Sequence, residues 1–326
     1  MHNMAYPVSL FDVGRIRFDA PLREYSRWRI GGCADLVVEP ETVQQAQTLR
    51  RVLYKYNLPH LFIGDGSNLL FDDGGVRGVI VRMGRAFSKF SISGEFIDAE
   101  AGVFIPRLIQ HAGRNGLVGL EHTIGIPGTL GGLIFMNGGS MQKGIGSAVD
   151  SVKAIDHKGD IVEYSHEACK FSYRCSVFQE TDHLIIKARL KCAESGDVST
   201  IRTRMLDILR SRRRKFPLKQ PNCGSVFLSN PDMYDTIGPP GKVIEECGFK
   251  GFRIGDAMIP HIHANFIINM GHAKSSEVLS IIRTVRETIY RKTGYQLTCE
   301  ARYVATDCRV LPAHDALNID SCLFVK

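Results

Sequence analysis

The feature that most constrains the fold of this chain is a cluster of glycines in an otherwise apolar stretch. Residues 125–139 read GIPGTLGGLIFMNGG and contain six glycines. Each glycine loses more backbone entropy on folding than any other residue, so packing must offset that loss. Because turns alone do not need so many glycines, we interpret the segment as backbone that closely approaches a large flat or phosphorylated ligand.

A second glycine segment, GDGSN at residues 64–68, precedes the first. It resembles the start of the dinucleotide-binding pattern G-x-G-x-x-G, but Leu69 replaces the third glycine and a β-rich segment follows where a helix is needed. Two interpretations remain: an ordinary glycine turn, or a loop whose successive N–H groups face an anion, with Ser67 and Asn68 as further donors. Two such segments in one half of the chain indicate an extended cofactor such as FAD.

Composition excludes several classes of protein. The chain has 326 residues, 44% of them hydrophobic, which is enough for two or three globular domains. No apolar run reaches the roughly 18 residues that span a bilayer, and the first residues lack the pattern of a signal peptide. The nine cysteines include no C-x-x-C pair, which argues against disulfides and a metal site. We therefore expect a cytoplasmic protein with no metal and no membrane partner.

The net charge of +7 is compatible with nucleic acid, with small polyanions or simply with solubility. The sequence has no basic stripe with interleaved aromatic residues and no known nucleic-acid motif. We therefore expect no nucleic-acid partner, and a phosphorylated small molecule as the ligand.

Hydrophobic periodicity predicts an α+β chain whose composition changes after Cys192. Thr42 is predicted to cap the first helix, and a hairpin is predicted to turn at Lys158 and Gly159. Residues 193–198 are a predicted polar linker, and residues 305–326 show no pattern. Strands are predicted at residues 34–40, 60–63, 78–83, 149–165 (the hairpin), 183–192, 263–269 and 295–304, and helices at 43–57, 106–116, 199–216, 242–247 and 275–294.

Seven stretches of the chain carry a resemblance to one enzyme family. They are IGGCADLVVEP, GDGSNLLFDDGGVRGVIV, GIPGTLGGLIFMNGG, FSYRCSVF, CGSVF, PGKVIEECGFKGFRIGDAMIPHIHANFIIN and CEARYV, in this order along residues 25–304. An ordered set over nearly the whole chain is far more specific than any single motif. The chain resembles the UDP-N-acetylenolpyruvoylglucosamine reductase (UDP-N-acetylmuramate dehydrogenase) family, in its shorter variety.

This resemblance implies an α+β fold. An FAD-binding domain of the vanillyl-alcohol-oxidase (PCMH) type, in two subdomains, is followed by a C-terminal α+β substrate-binding domain. We expect a monomer. The implied boundaries are residues 1–83 for FAD-binding subdomain 1, 84–196 for FAD-binding subdomain 2, 197–304 for the substrate-binding domain and 305–326 for a C-terminal tail.

The resemblance also implies FAD and NADPH as cofactors and the enolpyruvyl ether of a UDP-sugar as the small-molecule substrate. The implied reaction reduces UDP-N-acetylglucosamine enolpyruvate to UDP-N-acetylmuramate in peptidoglycan precursor synthesis. Hydride passes from N5 of FAD to C3, and a proton passes from Ser225 to C2. The alternatives are a paralogous flavin reductase or oxidase that acts on a different substrate, for example in secondary metabolism, and a non-catalytic FAD-binding module.

Matched motif by motif, the resemblance implies three sets of site residues. Arg174, Ser225 and Glu300 match the catalytic positions. Lys215, Tyr173 and Asn265 are implied as substrate-binding residues. The implied FAD contacts are Gly64, Asp65, Gly66, Ser67, Asn68, Gly125, Ile126, Pro127, Gly128, Thr129 and Gly132.

Chemistry limits the roles of the catalytic candidates. Ser225 has neither a G-x-S-x-G elbow nor an adjacent histidine, so it is either a proton donor or a turn serine, and not a nucleophile. The planar guanidinium of Arg174 suits a carboxylate on which negative charge develops. An ionised Glu300 would repel that charge, so we expect it to be protonated, to orient another group, or to be a structural partner of Arg302.

Two further groups of residues receive structural interpretations. Arg212, Arg213 and Arg214 end a predicted helix, where cations interact favourably with the helix dipole, so only Lys215 of this run is given a function. Cys175 and Cys223 lie near catalytic positions in sequence but have no adjacent base, and we interpret them as packing residues.

Overall fold

Each of the two units into which the protein divides consists of three separate chain segments. A computed structural model describes residues 6–7, 10, 12–194, 197–229 and 231–316. The predicted boundaries are continuous in sequence and differ from this division, since residues on both sides of the predicted boundary at 83–84 belong to the same unit. Unit 1 is Met1–Phe18, Leu36–Asp65 and Val79–Arg212, and unit 2 is Asp19–Asp35, Gly66–Gly78 and Arg213–Lys326.

The secondary structure is mixed, as the periodicity predicts. The helices are α1 (Val43–Lys55), α2 (Ile105–Arg114), α3 (Leu130–Phe135), α4 (Val198–Lys215), α5 (Pro231–Tyr234), α6 (Pro240–Glu246) and α7 (Ser275–Thr293). The strands are β1 (Arg15–Pro21), β2 (Cys33–Glu39), β3 (His60–Ile63), β4 (Leu69–Phe71), β5 (Val76–Arg82), β6 (Phe90–Ser93), β7 (Phe96–Glu100), β8 (Leu117–Val118), β9 (Gly139–Ser140), β10 (Lys143–Gly144), β11 (Val149–Ile155), β12 (Ile161–Ser165), β13 (Leu184–Lys191), β14 (Ala193–Glu194), β15 (Arg253–Ile254), β16 (Ala257–Met258), β17 (Ile268–Asn269), β18 (Arg302–Val304) and β19 (Val310–Pro312).

A five-stranded antiparallel sheet with the strand order β12-β11-β13-β7-β6 lies in unit 1. The predicted hairpin is confirmed as β11 and β12, which end at the pair Ile155–Ile161. Gly159 N donates a hydrogen bond to Asp156 O at 3.1 Å in the intervening turn, close to the predicted position. Buried apolar side chains of this sheet and of α2 and α3 belong to one hydrophobic core, which supports the glycine segment between residues 125 and 132.

A four-stranded sheet has the order β1-β2-β5-β3, and α1 packs its apolar face on it. Thr42 is the N-cap of α1, as predicted, because its hydroxyl accepts a hydrogen bond from Gln45 N at 3.1 Å. Leu49 and Leu53 lie one turn apart on the buried face of α1 and contact the core that the strands contribute.

The core of unit 2 joins segments that are distant in sequence. Trp28 is the only tryptophan of the chain, is fully buried, and donates a hydrogen bond from Nε1 to Ile267 O at 2.7 Å. Asn269 Nδ2 donates to Trp28 O at 3.0 Å. The parallel pairing of β4 with β18 adds residues 69–71 to the same unit. The second glycine segment therefore leads directly into a strand that runs beside β18.

Helix α7 begins at a carboxylate supplied by a distant part of unit 2. Asp73 accepts hydrogen bonds from Ser275 N at 2.7 Å and from Ser276 N at 3.1 Å. These N–H groups belong to the first turn, where they have no partner within the helix. A negative charge at this end also interacts favourably with the helix dipole, so Asp73 stabilises the start of α7 twice over.

Two predicted strands are wrong in extent. Of residues 263–269 only Ile268–Asn269 forms a strand, and of residues 295–304 only Arg302–Val304 does. The segment that carries Ser225 is connected to both regions through isolated bridges, Asn222 to Ile268 and Phe227 to Cys299. Because each bridge involves a single residue pair, most of residues 263–269 and 295–304 form no continuous strand, although their composition is typical of one.

The C-terminal residues 305–316 belong to the core of unit 2, although their sequence shows no pattern. Strand β19 pairs antiparallel with β18, and Ala313 and Ala316 are buried. Residues 317–326 of the predicted tail, and Ser195 and Gly196 of the predicted linker, lie outside the described residues. Ala193–Glu194, which the prediction assigned to the linker, pairs as β14 with β8. Within the ranges that the structure describes, no helix combines the length and the apolarity that crossing a membrane requires.

We predict that Asp73→Ala lowers the free energy of unfolding of unit 2 by about 1–2 kcal/mol, because two N–H groups at the start of α7 lose their acceptor. A urea titration followed by fluorescence measures this loss, since the single tryptophan, Trp28, lies in unit 2. Asp235→Ala removes an exposed carboxylate of the same unit and should leave the midpoint unchanged. Equal midpoints for the two variants would contradict the assigned role of Asp73.

Candidate active site

The two glycine segments of the sequence touch each other in unit 1. A Cβ on Gly64 would lie 2.1 Å from Thr129 Oγ1, so only glycine allows this approach. Thr129 is also the N-cap of α3 and accepts a hydrogen bond from Gly132 N at 3.4 Å. The segment before it is held by Gly128 O, which accepts from Ile105 N at 2.9 Å. The structure therefore brings Gly64 together with the predicted contacts Gly128, Thr129 and Gly132.

Arg212 lies against the glycine segment of residues 125–132, which the sequence analysis did not predict. A Cβ on Gly125 would lie 2.2 Å from Arg212 Cδ, and burial lowers the pKa of the guanidinium. A signal for this position exists in the sequence, because Ile201, Met205 and Ile208 are core residues at helical spacing and Arg212 continues their stripe. Arg212 does lie in the last turn of α4, as predicted, but its contact with Gly125 is an additional feature that the helix dipole does not explain.

Arg174 stands at the tip of a tight turn in unit 1. Ser172 and Cys175 exchange two backbone hydrogen bonds, each of 3.1 Å, so Tyr173 and Arg174 form the tip. Arg174 has a φ of +57°, a left-handed conformation that a non-glycine residue adopts at an energetic cost. Tyr173 is 57% exposed, and its ring centroid lies 5.4 Å from Arg174 Cζ. The turn thus presents a guanidinium and an exposed aromatic ring side by side.

Amide side chains hold this turn against the residues that follow α3. Asn137 Nδ2 donates to Ser172 O at 2.7 Å, and Gln179 Nε2 donates to Arg174 O at 2.9 Å. Arg174 Nη2 donates to Gly139 O at 3.4 Å. The direction of the Arg174 side chain is therefore set by bonds to the glycine-rich stretch at residues 125–139.

Ser225 follows a turn that its own motif builds in unit 2. Asn222 Oδ1 accepts a hydrogen bond from Gly224 N at 2.9 Å, which is the local turn that an asparagine favours. Gly224 has a φ of +89°, and no atom lies within 4 Å of the position that a Cβ would take. The Ser225 side chain is half-buried, and its hydroxyl has no hydrogen-bond partner among the residues that the structure describes. This hydroxyl is thus available to a ligand.

Glu300 lies beside the Ser225 turn. Glu300 N donates to Val226 O at 2.8 Å, so the residue after Ser225 is bonded directly to Glu300. The pKa of the Cys223 thiol is raised well above its usual value, first by burial and then by the negative charge of Glu300. Burial raises the pKa of Cys299 to about 12. Both thiols therefore stay protonated at neutral pH, which agrees with the interpretation of Cys223 as a packing residue.

Asn265 has a structural role in the backbone that follows Ser225. Its Oδ1 accepts from Phe227 N and its Nδ2 donates to Phe227 O, both at 2.9 Å, and it is 5% exposed. Val226 N donates to Asn265 O at 3.0 Å. These bonds engage both polar ends of the Asn265 side chain, so contact with a substrate stays a prediction.

The second glycine segment is bonded to Glu300 and Arg302 through Asn68. Asn68 Nδ2 donates to Glu300 O at 2.9 Å, and Arg302 N donates to Asn68 O at 3.0 Å. Asp65, on the unit 1 side of the segment, forms an ion pair of 3.6 Å with Arg82. Two of the predicted FAD contacts therefore also have partners within the protein.

Lys215 is exposed at the end of α4. The next residue, Phe216, stacks on Phe266 with ring centroids 5.2 Å apart and lies 5.4 Å from the His263 ring. Burial lowers the pKa of His263, and the positive charges of Lys250 and Lys215 lower it further. His263 Nδ1 accepts from Asn265 N at 3.2 Å, so the neutral ring carries its proton on Nε2. This end of α4 therefore combines the exposed ammonium group of Lys215 with a cluster of aromatic rings.

No group of acidic, histidine and cysteine residues suited to a metal ion occurs in the described parts of the chain.

Two family descriptions match the chain. Residues 34–165 match the family described as FAD binding domain, and residues 216–304 match UDP-N-acetylenolpyruvoylglucosamine reductase, C-terminal domain. The first match contains both glycine segments, and the second contains Ser225, Asn265 and Glu300.

Whole-chain relatives carry the same name. UDP-N-acetylenolpyruvoylglucosamine reductase 1 of Corynebacterium glutamicum is 40% identical over 304 residues, which cover 93% of this chain and 90% of the relative. UDP-N-acetylenolpyruvoylglucosamine reductase of Syntrophomonas wolfei is 36% identical over 293 residues, which cover 90% of this chain and 96% of the relative.

A solved structure supports the same assignment. The crystal structure of UDP-N-acetylenolpyruvylglucosamine reductase from Thermus caldophilus matches with a TM-score of 0.75 and 31% identity, covering 89% of this chain and 98% of that chain. The predicted fold class, an FAD-binding domain followed by a C-terminal α+β domain, is confirmed. With near-complete coverage at this level of identity, the chain belongs to the UDP-N-acetylenolpyruvoylglucosamine reductase family.

Proposed function

We propose that the protein is an FAD-dependent oxidoreductase that uses NADPH to reduce the enolpyruvyl ether of UDP-N-acetylglucosamine enolpyruvate to UDP-N-acetylmuramate, a step of peptidoglycan precursor synthesis. The observation that carries the proposal is the bond between Glu300 N and Val226 O in a chain of this family, because it joins the backbone of Glu300 to the residue that follows Ser225. Family membership supports the substrate and the cofactors.

The residues of unit 1 fit an extended anionic cofactor. The contact of Gly64 with Thr129 joins the two glycine segments into one backbone surface. Gly132 leaves open space beside it, since a Cβ there would meet only Thr129 Oγ1, at 3.4 Å. Arg212 adds a half-buried cation next to Gly125, which would balance the charge of a diphosphate. When bound in reduced form, FAD supplies the hydride that is added to C3 of the substrate.

Arg174 binds the substrate carboxylate in this proposal. Adding hydride at C3 places negative charge on C2 and the carboxylate oxygens, and a planar guanidinium stabilises that charge through two parallel hydrogen bonds. The bonds from Asn137 and Gln179 fix the turn before the substrate arrives, so no reorganisation is needed as the charge develops. Tyr173 supports substrate binding through its exposed ring.

Ser225 Oγ donates the proton that C2 requires. Its hydroxyl is not used within the described part of the protein, and the turn at Gly224 fixes its position. Glu300 acts on the same proton transfer because its backbone is bonded to the residue after Ser225. We assign Glu300 to orienting the donor and returning the proton to it. Lys215, exposed at the end of α4, binds the phosphates of the nucleotide substrate or of NADPH.

We place the reaction in the cytoplasm. The eight cysteines that the structure describes are free thiols, and burial raises the pKa of Cys192 to about 11 and of Cys299 to about 12. Thiols that stay protonated at neutral pH react slowly with oxidants and need no disulfide partner.

We predict that Gly132→Ala weakens FAD binding by at least about tenfold while the fold is retained. The new methyl group has room within the protein but occupies the face that the cofactor would approach. Flavin fluorescence quenching measures the Kd for FAD, and circular dichroism measures the melting temperature. Gly84→Ala is the matched control in unit 1, because its Cβ would meet only Glu39 at 3.5 Å and lies outside both glycine segments. Unchanged FAD affinity in Gly132→Ala would remove this residue from the cofactor site.

Arg174→Lys should raise the barrier to substrate reduction by about 2–4 kcal/mol, because an ammonium group keeps the charge but loses the two-pronged geometry. The measurement is kcat/KM for the enolpyruvyl nucleotide under anaerobic conditions. Arg189→Lys, at an exposed arginine paired with Asp98 in the same unit, should leave kcat/KM unchanged. If Arg174→Lys behaved like this control, Arg174 would be a structural residue of its turn.

Ser225→Ala separates proton donation from binding. Reduction of bound FAD by NADPH needs no proton from this serine, so that half-reaction should keep its rate. Reoxidation of the reduced flavin by the substrate should slow by at least about 10²-fold, the scale of general-acid loss. Stopped-flow absorbance measures each half-reaction separately. Equal slowing of both would show that Ser225 shapes the site without donating, and no slowing of either would leave it a turn residue.

A further inference from the structure

The segment that follows β19 is bonded to both sequence neighbours of Glu300. Ala313 N donates to Ala301 O at 2.9 Å, and Cys299 N donates to Nδ1 of His314 at 3.1 Å. All of these residues belong to unit 2. The outer backbone groups of the residues on either side of Glu300 are therefore held by two consecutive residues of one short segment.

The peptide of Glu300 itself is held by other elements of the same unit. Glu300 N donates to Val226 O at 2.8 Å, and Glu300 O accepts from Asn68 Nδ2 at 2.9 Å. These four hydrogen bonds come from three different parts of the unit and set the backbone of residues 299–301. Among them, the bond to His314 is made by a side chain that neither the glycine segments nor the predicted catalytic residues include.

The chemistry of His314 suits a permanent acceptor. Its side chain is 14% exposed, and burial together with the positive charges of Arg286 and Arg302 lowers its pKa, while Asp315 acts in the opposite direction. The ring is therefore neutral at pH 7. Because Nδ1 accepts from Cys299 N, the proton is on Nε2, which lies 3.6 Å from Asp315 Oδ1.

We propose that His314 is a positioning residue for Glu300: by holding the Cys299 peptide it sets the direction in which the next side chain leaves the backbone. The inference rests on the proposed role of Glu300 in proton transfer. Displacement of a catalytic group by about 1 Å can cost about 10²-fold in rate. The segment at residues 313–315 thereby acquires a function in the reaction that its sequence does not reveal.

The test compares two substitutions of His314. His314→Asn keeps an acceptor, since the asparagine Oδ1 takes nearly the place of the imidazole Nδ1, whereas His314→Leu removes it at similar volume. We expect His314→Leu to slow substrate-dependent reoxidation of the flavin by about tenfold, with FAD reduction by NADPH and the Kd for FAD unchanged. His314→Asn should restore the rate to within about threefold of the wild type. Equal rates in the Leu and Asn variants would overturn the proposal.

A double-mutant cycle with Glu300→Gln shows whether His314 acts through Glu300. In the Glu300→Gln background, His314→Leu should cause no further slowing, and an additional tenfold loss would overturn the proposal. Asp73→Ala is the stability control, because it destabilises unit 2 at α7 without touching residues 299–301 and should leave reoxidation unchanged. If Glu300→Gln alone left reoxidation at the wild-type rate, the assigned function of Glu300 would fail. If Glu300→Gln slowed reoxidation but His314→Leu left it at the wild-type rate, the positioning role of His314 would fail.

Discussion

The peptide group of Val226 is the constraint on which the candidate chemistry of unit 2 depends. Its carbonyl accepts from Glu300 N at 2.8 Å and from Ala301 N at 3.3 Å, while its N–H donates to Asn265 O at 3.0 Å. Ser225 precedes this peptide directly, so three distant parts of the sequence are joined within one residue of the proposed proton donor. Buried peptide groups must be paired, and this requirement fixes the backbone of Glu300 against that of Val226.

A glycine at the candidate site can be needed for two different physical reasons, and the sequence alone does not distinguish them. Gly64 is required by the protein itself, since a Cβ would collide with the short Thr129 side chain, whereas a Cβ on Gly125 would displace the Arg212 side chain. At Gly132 a Cβ would meet no atom of the described structure at less than 3.4 Å, and our proposal gives the cofactor as the reason for this glycine. Counting glycines predicted a cofactor site in a segment that lies within the match to the FAD binding domain family. The spatial environment of each glycine separates positions that build the loop from the position that we propose faces the cofactor.

Local sequence signals predicted the elements that local interactions determine. The cap at Thr42, the hairpin of β11 and β12, and helices α4 and α7 were predictable because their hydrogen bonds join residues close in sequence. Strands β17 and β18 were predicted too long because isolated bridges to residues 222–227 replace continuous ladders. The tail at 305–316 gave no periodicity, yet it pairs with β18, whose other neighbour is the distant strand β4. The catalytic candidates came from family resemblance, and the residues that hold them required the fold.

The proposed catalytic residues share one mode of support, and it has an electrostatic consequence. Asn137 and Gln179 hold the Arg174 turn, Asn222 and Asn265 hold the Ser225 segment, and Asn68 and His314 hold the backbone around Glu300. All six are neutral side chains bonded to backbone groups. An anionic support beside Arg174 would weaken the attraction of its guanidinium for the negative charge that the proposed reaction develops on the substrate. The neutral amides of Asn137 and Gln179 fix the turn without adding such a charge. The burial that keeps His314 neutral is therefore part of the same arrangement as the amides, because a proton on its ring would both break the bond to Cys299 and add a charge beside Glu300.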